Sequence, residues 1–330
     1  MQISKMKAST SYSLAVPDIS AWRAGNTGVE GVWTFDSGQP GRHAMISALV
    51  HGNELCGAWA LKGLLEAGIR PACGRLTLAF CNLEAFDRFD PADHDASRFV
   101  DEDLSRQWSP DRLADPTSAE RRRAAELVPF VEAADWLLDL HSMHEPSAPL
   151  SLTGLARGNV ALAISMKTPQ YIVVDAGHSE GVRMRDFGRF APDAVANTQA
   201  RSLLVECGFH GDPNSRDVAQ DQCLRFLEQA GVLDADVPSL SGWRLPDAPS
   251  QWILQVTDAV VAQSDNFRFA ASYTGLEVIP YQGTVIGYDA VELTTPYDNC
   301  VLVMPSTRQA RAGVTVVRFA QRHSVTESSA

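Results

Sequence analysis

No stretch of this 330-residue chain is apolar for long enough to cross a bilayer as a helix, which takes about 20 residues. Basic residues are in deficit as well. The 28 Lys and Arg face 40 Asp and Glu, a net charge of −12. That sign argues against non-specific nucleic-acid binding, which needs a cationic surface. It leaves small anions open, because a local arginine pocket works inside an acidic protein. Also lacking is any C-x-x-C spacing. The six cysteines (Cys56, Cys73, Cys81, Cys207, Cys223 and Cys300) sit mostly in apolar runs and read as buried free thiols of a reducing compartment. Residues Met1 to Ser20 include Pro17 and Asp18 and have no secretory apolar core, so the cytoplasm is the expected location. Hydrophobic residues make up 45%, as in ordinary globular proteins, and the length suits one large domain plus a smaller one.

What is present is an alternation of strand-like and helix-like segments from about Arg42 to Ala230. Candidate strands are His43–Val50, Arg75–Cys81, Asp135–Leu140, Tyr171–Val174 and Ser202–Cys207, several of them continuous apolar runs. Candidate helices are Glu54–Ala67, Ser118–Ala134, Val160–Met166 and Arg216–Ala230, with Thr117 or Ser118 as a cap and Pro129 expected to bend or shorten the second. The pattern predicts an α/β domain over residues 1–240 with a mixed, mainly parallel sheet flanked by helices. Asp236–Gln251, with three prolines, reads as a linker. Residues 250–330 then predict a small all-β domain from short segments: Trp252–Val256, Val260–Gln263, Phe267–Ala271, Thr284–Ile286, Val291–Thr294, Val301–Met304 and Val314–Phe319. The tail from His323 to Ala330 is expected to fray.

Ligands of such sheets gather at the carboxyl ends of strands, where His51, Asn82, His141 and Glu206 fall. His51 and Glu54 end the first strand and open a helix, a His-x-x-Glu pair of the kind that binds zinc. The plain alternative is a strand-end histidine and a glutamate favoured by the helix dipole. His141 follows Asp139 out of another strand, with Asp139 available to orient it, and His144 competes for the same role. Arg98 and Arg106 lie in a long polar segment, where they can grip carboxylates or polarise a carbonyl. Surface pairing with Asp101, Glu102 and Asp103 is the ordinary reading. Glu206 is a lone carboxylate in an apolar strand, which suits either a general base of raised pKa or a buried salt bridge to Arg201.

Together His51-Gly52-Asn53-Glu54, Arg98 with Asp103-Leu104-Ser105-Arg106, Asp139-Leu140-His141 and Val205-Glu206-Cys207-Gly208 resemble the motifs of the succinylglutamate desuccinylase/aspartoacylase family, of the zinc-carboxypeptidase fold. Order and approximate spacing match over roughly Ala44 to Gly208, and four motifs in order are more specific than any one. The resemblance implies one Zn²⁺ per chain, held by His51, Glu54 and His141, a β-rich C-terminal domain, and cleavage of the amide of a small N-acyl amino acid or related N-acyl amine. It implies that Glu206 takes a proton from the zinc-bound water and passes it to the leaving amine, that Arg98 polarises the scissile carbonyl, and that Arg106 binds a carboxylate. Asn82 and Ser105 join Arg106 in the expected substrate-binding set. Ser105 stands where the family commonly has asparagine, so carboxylate recognition is expected to be altered or water-mediated. A second carboxylate-binding arginine has no clear counterpart, with Arg189 and Arg201 as candidates. Tyr288 or Glu277 of the β domain are the residues considered for reaching the site.

Three other readings compete. Gly177-His178-Ser179-Glu180-Gly181 fits G-x-S-x-G, which makes Ser179 a serine-hydrolase nucleophile with Asp258 and His323 as partners. The charged segment after it is poor for the packed helix that motif needs. A non-catalytic zinc-binding protein leaves Glu206 without a purpose. Cys207 as a nucleophile is the weakest, since a thiol on a buried strand behaves as a small apolar residue.

Overall fold

Continuous apolar runs build the middle of the fold. The computed structural model describes residues 12–177, 181–195, 199–233, 237–306 and 310–325. Its strands are β1 (Val32–Asp36), β2 (His43–Ala48), β3 (Arg75–Phe80), β4 (Trp136–Met143), β5 (Leu150–Leu152), β6 (Tyr171–Val174), β7 (Arg201–Phe209), β8 (Trp252–Val261), β9 (Arg268–Phe269), β10 (Glu277–Ile279), β11 (Val285–Tyr288), β12 (Glu292–Thr294), β13 (Cys300–Val303) and β14 (Thr315–Ser324). The longer helices are α1 (Leu55–Glu66), α2 (Ala119–Ala133), α3 (Arg157–Ser165) and α4 (Asn214–Ala230). Every residue of β2 is buried, and so is all of β3, β4 and β7 after the first residue. Strands covered on both faces have no polar side to alternate with.

Eleven strands form one mixed sheet, ordered β1-β3-β2-β4-β7-β5-β6-β8-β14-β13-β10. The stretch β3-β2-β4-β7 is parallel. Helices cover both faces of it. Ala44, Ile46 and Ala48 of β2 pack into one core with Leu61 and Leu64 of α1 and Cys223 and Leu227 of α4. Met45, pointing the other way, joins Ala124, Leu127 and Val131 of α2. Gly57 lets α1 approach closely, since a Cβ there would lie 2.8 Å from that of Ala48 and 3.0 Å from that of Leu140.

Several expectations are corrected. Strand β4 does not stop at Leu140 but continues through His141 to Met143. Helix α2 is capped by Ser118, whose side chain accepts from the Arg121 amide, and it passes through Pro129 to Ala133 without being shortened. Pro129 is exposed, so water can satisfy the carbonyl left without its N–H partner. The linker is not slack: Leu240 is buried, Trp243 packs where a Gly63 Cβ would be, and Arg225 donates to the Leu245 carbonyl and to Asp247, each at 2.7 Å. Beyond it the C-terminal region is β-rich as expected, with β12-β11-β9 as a separate small antiparallel sheet, while β8 pairs in parallel with β6, so that β8, β14, β13 and β10 extend the main sheet. The expected segment Trp252–Val256 and the first two residues of Val260–Gln263 belong to one strand, β8. His323 and Ser324 are not frayed, because β14 pairs them with Ile253 and Trp252; residues 326–330 lie outside the described residues. Among the described residues all six cysteines are free, and no helix is long and apolar enough to cross a membrane.

Gly52 connects this frame to the strand-end residues. A Cβ at Gly52 would meet the Ala85 carbonyl carbon and Ser97 carbonyl oxygen at 2.4 Å and the Phe86 nitrogen at 2.5 Å, all backbone. Gly52→Ala is therefore expected to lower the free energy of unfolding by about 1–3 kcal/mol, the range for overpacking. Urea denaturation measures it, and an unchanged midpoint would contradict the close approach.

Candidate metal centre

Strand register decides which side chains meet at the carboxyl ends of β2, β4 and β7. His141 pairs directly with Glu206 across the β4–β7 ladder, and Ser47 pairs with Asp139 across β2–β4. Asp139 and His141 are two apart and share a face, so Ser47, Asp139, His141 and Glu206 belong to one patch. After β2 the chain turns sharply at Leu49, a buried residue with φ of 56°, held there as the Asn82 amide donates to its carbonyl at 2.7 Å. That turn returns His51 and Glu54 to the same patch just before α1 begins.

Glu54 is the hub. Its Oε1 lies 2.7 Å from His51 Nδ1 and its Oε2 lies 2.9 Å from His141 Nδ1. Each ring is fixed from behind by a second carboxylate: His51 Nε2 is 2.9 Å from Asp103 Oδ1, and His141 Nε2 is 3.0 Å from Asp139 Oδ2. Ser47 Oγ donates to Asp139 Oδ1 at 2.8 Å. Both Nδ1 atoms and the Glu54 carboxylate thus face one another, and ligand atoms of the three residues all lie within 4.8 Å. This buried group can hold a metal ion.

The electrostatics reflect the crowding. Burial opposes ionisation of Glu54, but His51 and His141 outweigh it and keep the carboxyl well below its ordinary range. Burial likewise opposes charge on His141, yet Asp139 and Glu54 push its proton affinity well up. Asp103 is also held low against its burial, chiefly by His51 and Arg98. Glu206 goes the other way. Burial, with the negative charge of Glu54 added, pushes its carboxyl up to about 8, and its Oε2 has no hydrogen-bond partner.

Beside these residues opens a cavity of about 610 Å³, which His51, His141, Glu206, Arg98, Ser105 and Arg106 help to line. Arg98 Nη1 reaches Glu54 Oε1 at 3.3 Å and lies 3.1 Å from His144 Nε2, while its Nη2 donates to Asp103 Oδ2 at 3.3 Å. His144 therefore belongs to the Arg98 side and is not in the three-residue group. Ser105 turns its hydroxyl inward, donating to Asp103 Oδ1 at 2.6 Å and accepting from Arg106 Nη1 at 2.5 Å.

Other expectations need correction. Asn82 is not at the cavity: its side-chain Oδ1 accepts from the Ala85 amide and caps the turn Leu83–Phe86, and its Nδ2 donates to Glu120 Oε1 at 3.0 Å. Neither Arg189 nor Arg201 lines the cavity. Arg189 pairs with Asp135, before β4 begins, and Arg201 starts β7 with its guanidinium against Gly158. Tyr288 and Glu277 are likewise absent from its lining, to which Met304, just after β13, and Thr315 and Arg318 of β14 contribute instead. Asp175 and Arg183 also line it, bonded at 3.2 and 3.3 Å, and the sequence reading overlooked them. Asp175 directly follows the apolar strand β6, the strand-end position that singled out the other candidates. Ser179 lies outside the described residues. The segment after it forms short 3₁₀ turns at Met184–Asp186 and Gly188–Phe190, not the helix a nucleophile elbow requires. Cys207 is buried, and burial leads the causes that push its thiol well up, away from the reactive thiolate.

Asp139 fixes the His141 ring without touching the ligand position. Asp139→Asn is expected to weaken divalent-metal binding by about 10–100-fold, the usual consequence of losing such a partner. A competition titration against a chromophoric chelator reads this, and wild-type affinity in the variant would remove Asp139 from that role.

With that geometry in hand, comparison with known proteins is informative. The catalytic-domain model of the succinylglutamate desuccinylase/aspartoacylase family matches residues 40–222, more than half of the chain. Among solved structures, a succinylglutamate desuccinylase from Vibrio cholerae is similar at 18% identity and a TM-score of 0.65, over 89% of this chain and 86% of that one. One from Vibrio parahaemolyticus has 18% identity and a TM-score of 0.64 over the same shares. The product-bound ectoine utilization protein of Ruegeria pomeroyi has 17% identity and a TM-score of 0.60, over 88% of this chain and 89% of that one. No curated protein sequence matches. The family model covers all four motif segments, and the fold agrees with that of the solved relatives: the chain belongs to the succinylglutamate desuccinylase/aspartoacylase family.

Proposed function

We propose that this protein is a zinc-dependent deacylase that hydrolyses the amide bond of a small N-acyl amino acid or related N-acyl amine. The observation that carries the reading is the buried Glu54 carboxylate facing two imidazole Nδ1 atoms, with the unpartnered Glu206 oxygen beside them. The donor set fits zinc: two imidazoles and one carboxylate leave a coordination position open, as catalytic sites require. Charge supports the same ion. Glu54, Asp103 and Asp139 crowd around two imidazoles and the Arg98 guanidinium, and a divalent cation offsets that excess of carboxylate. When bound, zinc supplies a Lewis acid and lowers the pKa of water to about 7.

The chain's own residues do the rest. Glu206, its proton affinity raised by burial, accepts a proton from the attacking water and returns it to the departing amine, a double task that suits a carboxyl near neutrality. Arg98 faces the cavity and stabilises negative charge growing on the carbonyl oxygen. Arg106 takes a substrate carboxylate as a guanidinium fork. Ser105 steadies Arg106 and Asp103, which assigns this side chain to positioning more than to substrate contact.

Relatives named succinylglutamate desuccinylases make N-succinyl amino acids the first compounds to try, with N-acetyl amino acids alongside. The zinc-loaded protein is expected to release free amine from at least one of them, to lose that activity to a chelator, and to regain it with Zn²⁺. Glu206→Gln is expected to keep the metal and lower turnover by about 10²–10⁴-fold, the usual contribution of a general acid–base. Normal turnover by that variant would refute the assignment of Glu206, and full activity in the stripped protein would refute the need for metal.

A further inference from the structure

Arg98 and Arg106 sit on a segment whose only regular structure is the short 3₁₀ turns ending at Ser97 and spanning Leu104–Arg106, yet they must be aimed at the cavity. The segment is gripped from below by one side chain that the reaction does not use. Glu120, second residue of α2, has no exposed surface. Its Oε1 accepts from the Val100 amide at 2.6 Å and from Asn82 Nδ2 at 3.0 Å. Its Oε2 accepts from the Asp101 amide at 3.0 Å and the Glu102 amide at 3.1 Å. Three successive backbone N–H groups converging on one carboxylate form an anion nest, and charge-assisted bonds of this kind are stronger than neutral ones. The grip is reciprocal. Asp101 Oδ2 accepts from the Ala119 amide at the start of α2 at 2.8 Å, and Arg121 holds Glu102 through Nε and Nη2, both at 2.9 Å. On the other side, Gly52 donates to the Arg98 carbonyl at 3.1 Å, which ties the segment to the His51–Glu54 turn.

We propose that Glu120 is a positioning residue: its carboxylate fixes residues 98–106 so that Arg98 and Arg106 face the cavity and Asp103 backs His51. Glu120 itself does not line the cavity and is absent from the three-residue metal group. The kinetic consequence rests on the deacylase reading, whereas the clasp does not. Replacing Glu120 with glutamine keeps size and shape but turns one acceptor oxygen into a donor, which leaves at least one of the converging N–H groups without its acceptor.

The test is hydrogen exchange combined with steady-state kinetics on the full-length, zinc-loaded protein and its Glu120→Gln variant. The amides of Val100, Asp101 and Glu102 are expected to exchange at least tenfold faster in the variant, with β4 and β7 unchanged. For a hydrolysed N-acyl amino acid, KM is expected to rise at least fivefold as kcat falls, because Arg106 and Arg98 both lose their aim. A merely structural role lowers the folded fraction, which reduces apparent kcat, leaves KM alone and exposes β4 and β7 as well. That pattern overturns the proposal, as does unchanged exchange at 100–102 or unchanged kinetics despite faster exchange. If Glu120→Gln does not fold, Asn82→Ala removes one of the four bonds and is read in the same way, with at least threefold faster exchange expected. If the wild type cleaves no N-acyl substrate, the deacylase reading fails, and the exchange pattern alone decides the clasp.

Discussion

A carboxylate sealed from solvent between two imidazoles is the constraint on which the rest depends. Glu54 sits in a region where an isolated charge is costly, so everything around it is arranged to compensate. His51 and His141 present their Nδ1 atoms, Asp103 and Asp139 lock the far nitrogens, and Ser142 adds its backbone N–H to Glu54 Oε2 at 3.3 Å. With both rings neutral, as metal ligands must be, the three carboxylates outnumber the Arg98 guanidinium, and protons on the rings or a divalent cation make up the difference. Burial, with the negative charge of Glu54 added, pushes the neighbouring Glu206 towards its neutral form.

Two kinds of structure meet at this centre. The strands supply the parts with fixed spacing: His141 and Glu206 lie side by side because the β4–β7 register pairs them, and no loop movement can separate them. The segment from Arg98 to Arg106 supplies the guanidiniums, and it is held by hydrogen bonds and by Leu104, which is buried in one core with Ala124 and Leu127 of α2. Asp103 joins the two halves, since it bonds both His51 and Arg98. The wall opposite is built by Arg318 of β14 and Asp175 after β6, so the C-terminal strands shape the space left for substrate.

The central sheet was legible because β2, β3, β4 and β7 are mostly apolar, and the strand-end rule then singled out His51, His141 and Glu206 from single residues. The weaker strands were not. β1 is short and flanked by glycine and serine, β5 has three residues, and β10 is an isolated Glu-Val-Ile, so none offers enough apolar residues for periodicity to register. Asn82 misled for an instructive reason: it occupies a strand end, but its neighbour Ala85 needs a cap and Glu120 needs a donor, and local hydrogen bonding prevailed. Arg183 and Arg318 were invisible to the sequence because they reach the cavity from segments distant from the motifs in the chain, Arg318 through the β6–β8–β14 pairing and Arg183 through the bridge between Val182 and Gln107.

The most direct test is anomalous diffraction at the zinc edge from crystals of the zinc-loaded protein. The account predicts one strong peak per chain, bonded to Nδ1 of His51, Nδ1 of His141 and the carboxylate of Glu54 at about 2.0–2.2 Å, with Glu206 facing the open side. A peak elsewhere, or the two imidazoles still bonded to Glu54 with no metal between them, would contradict it.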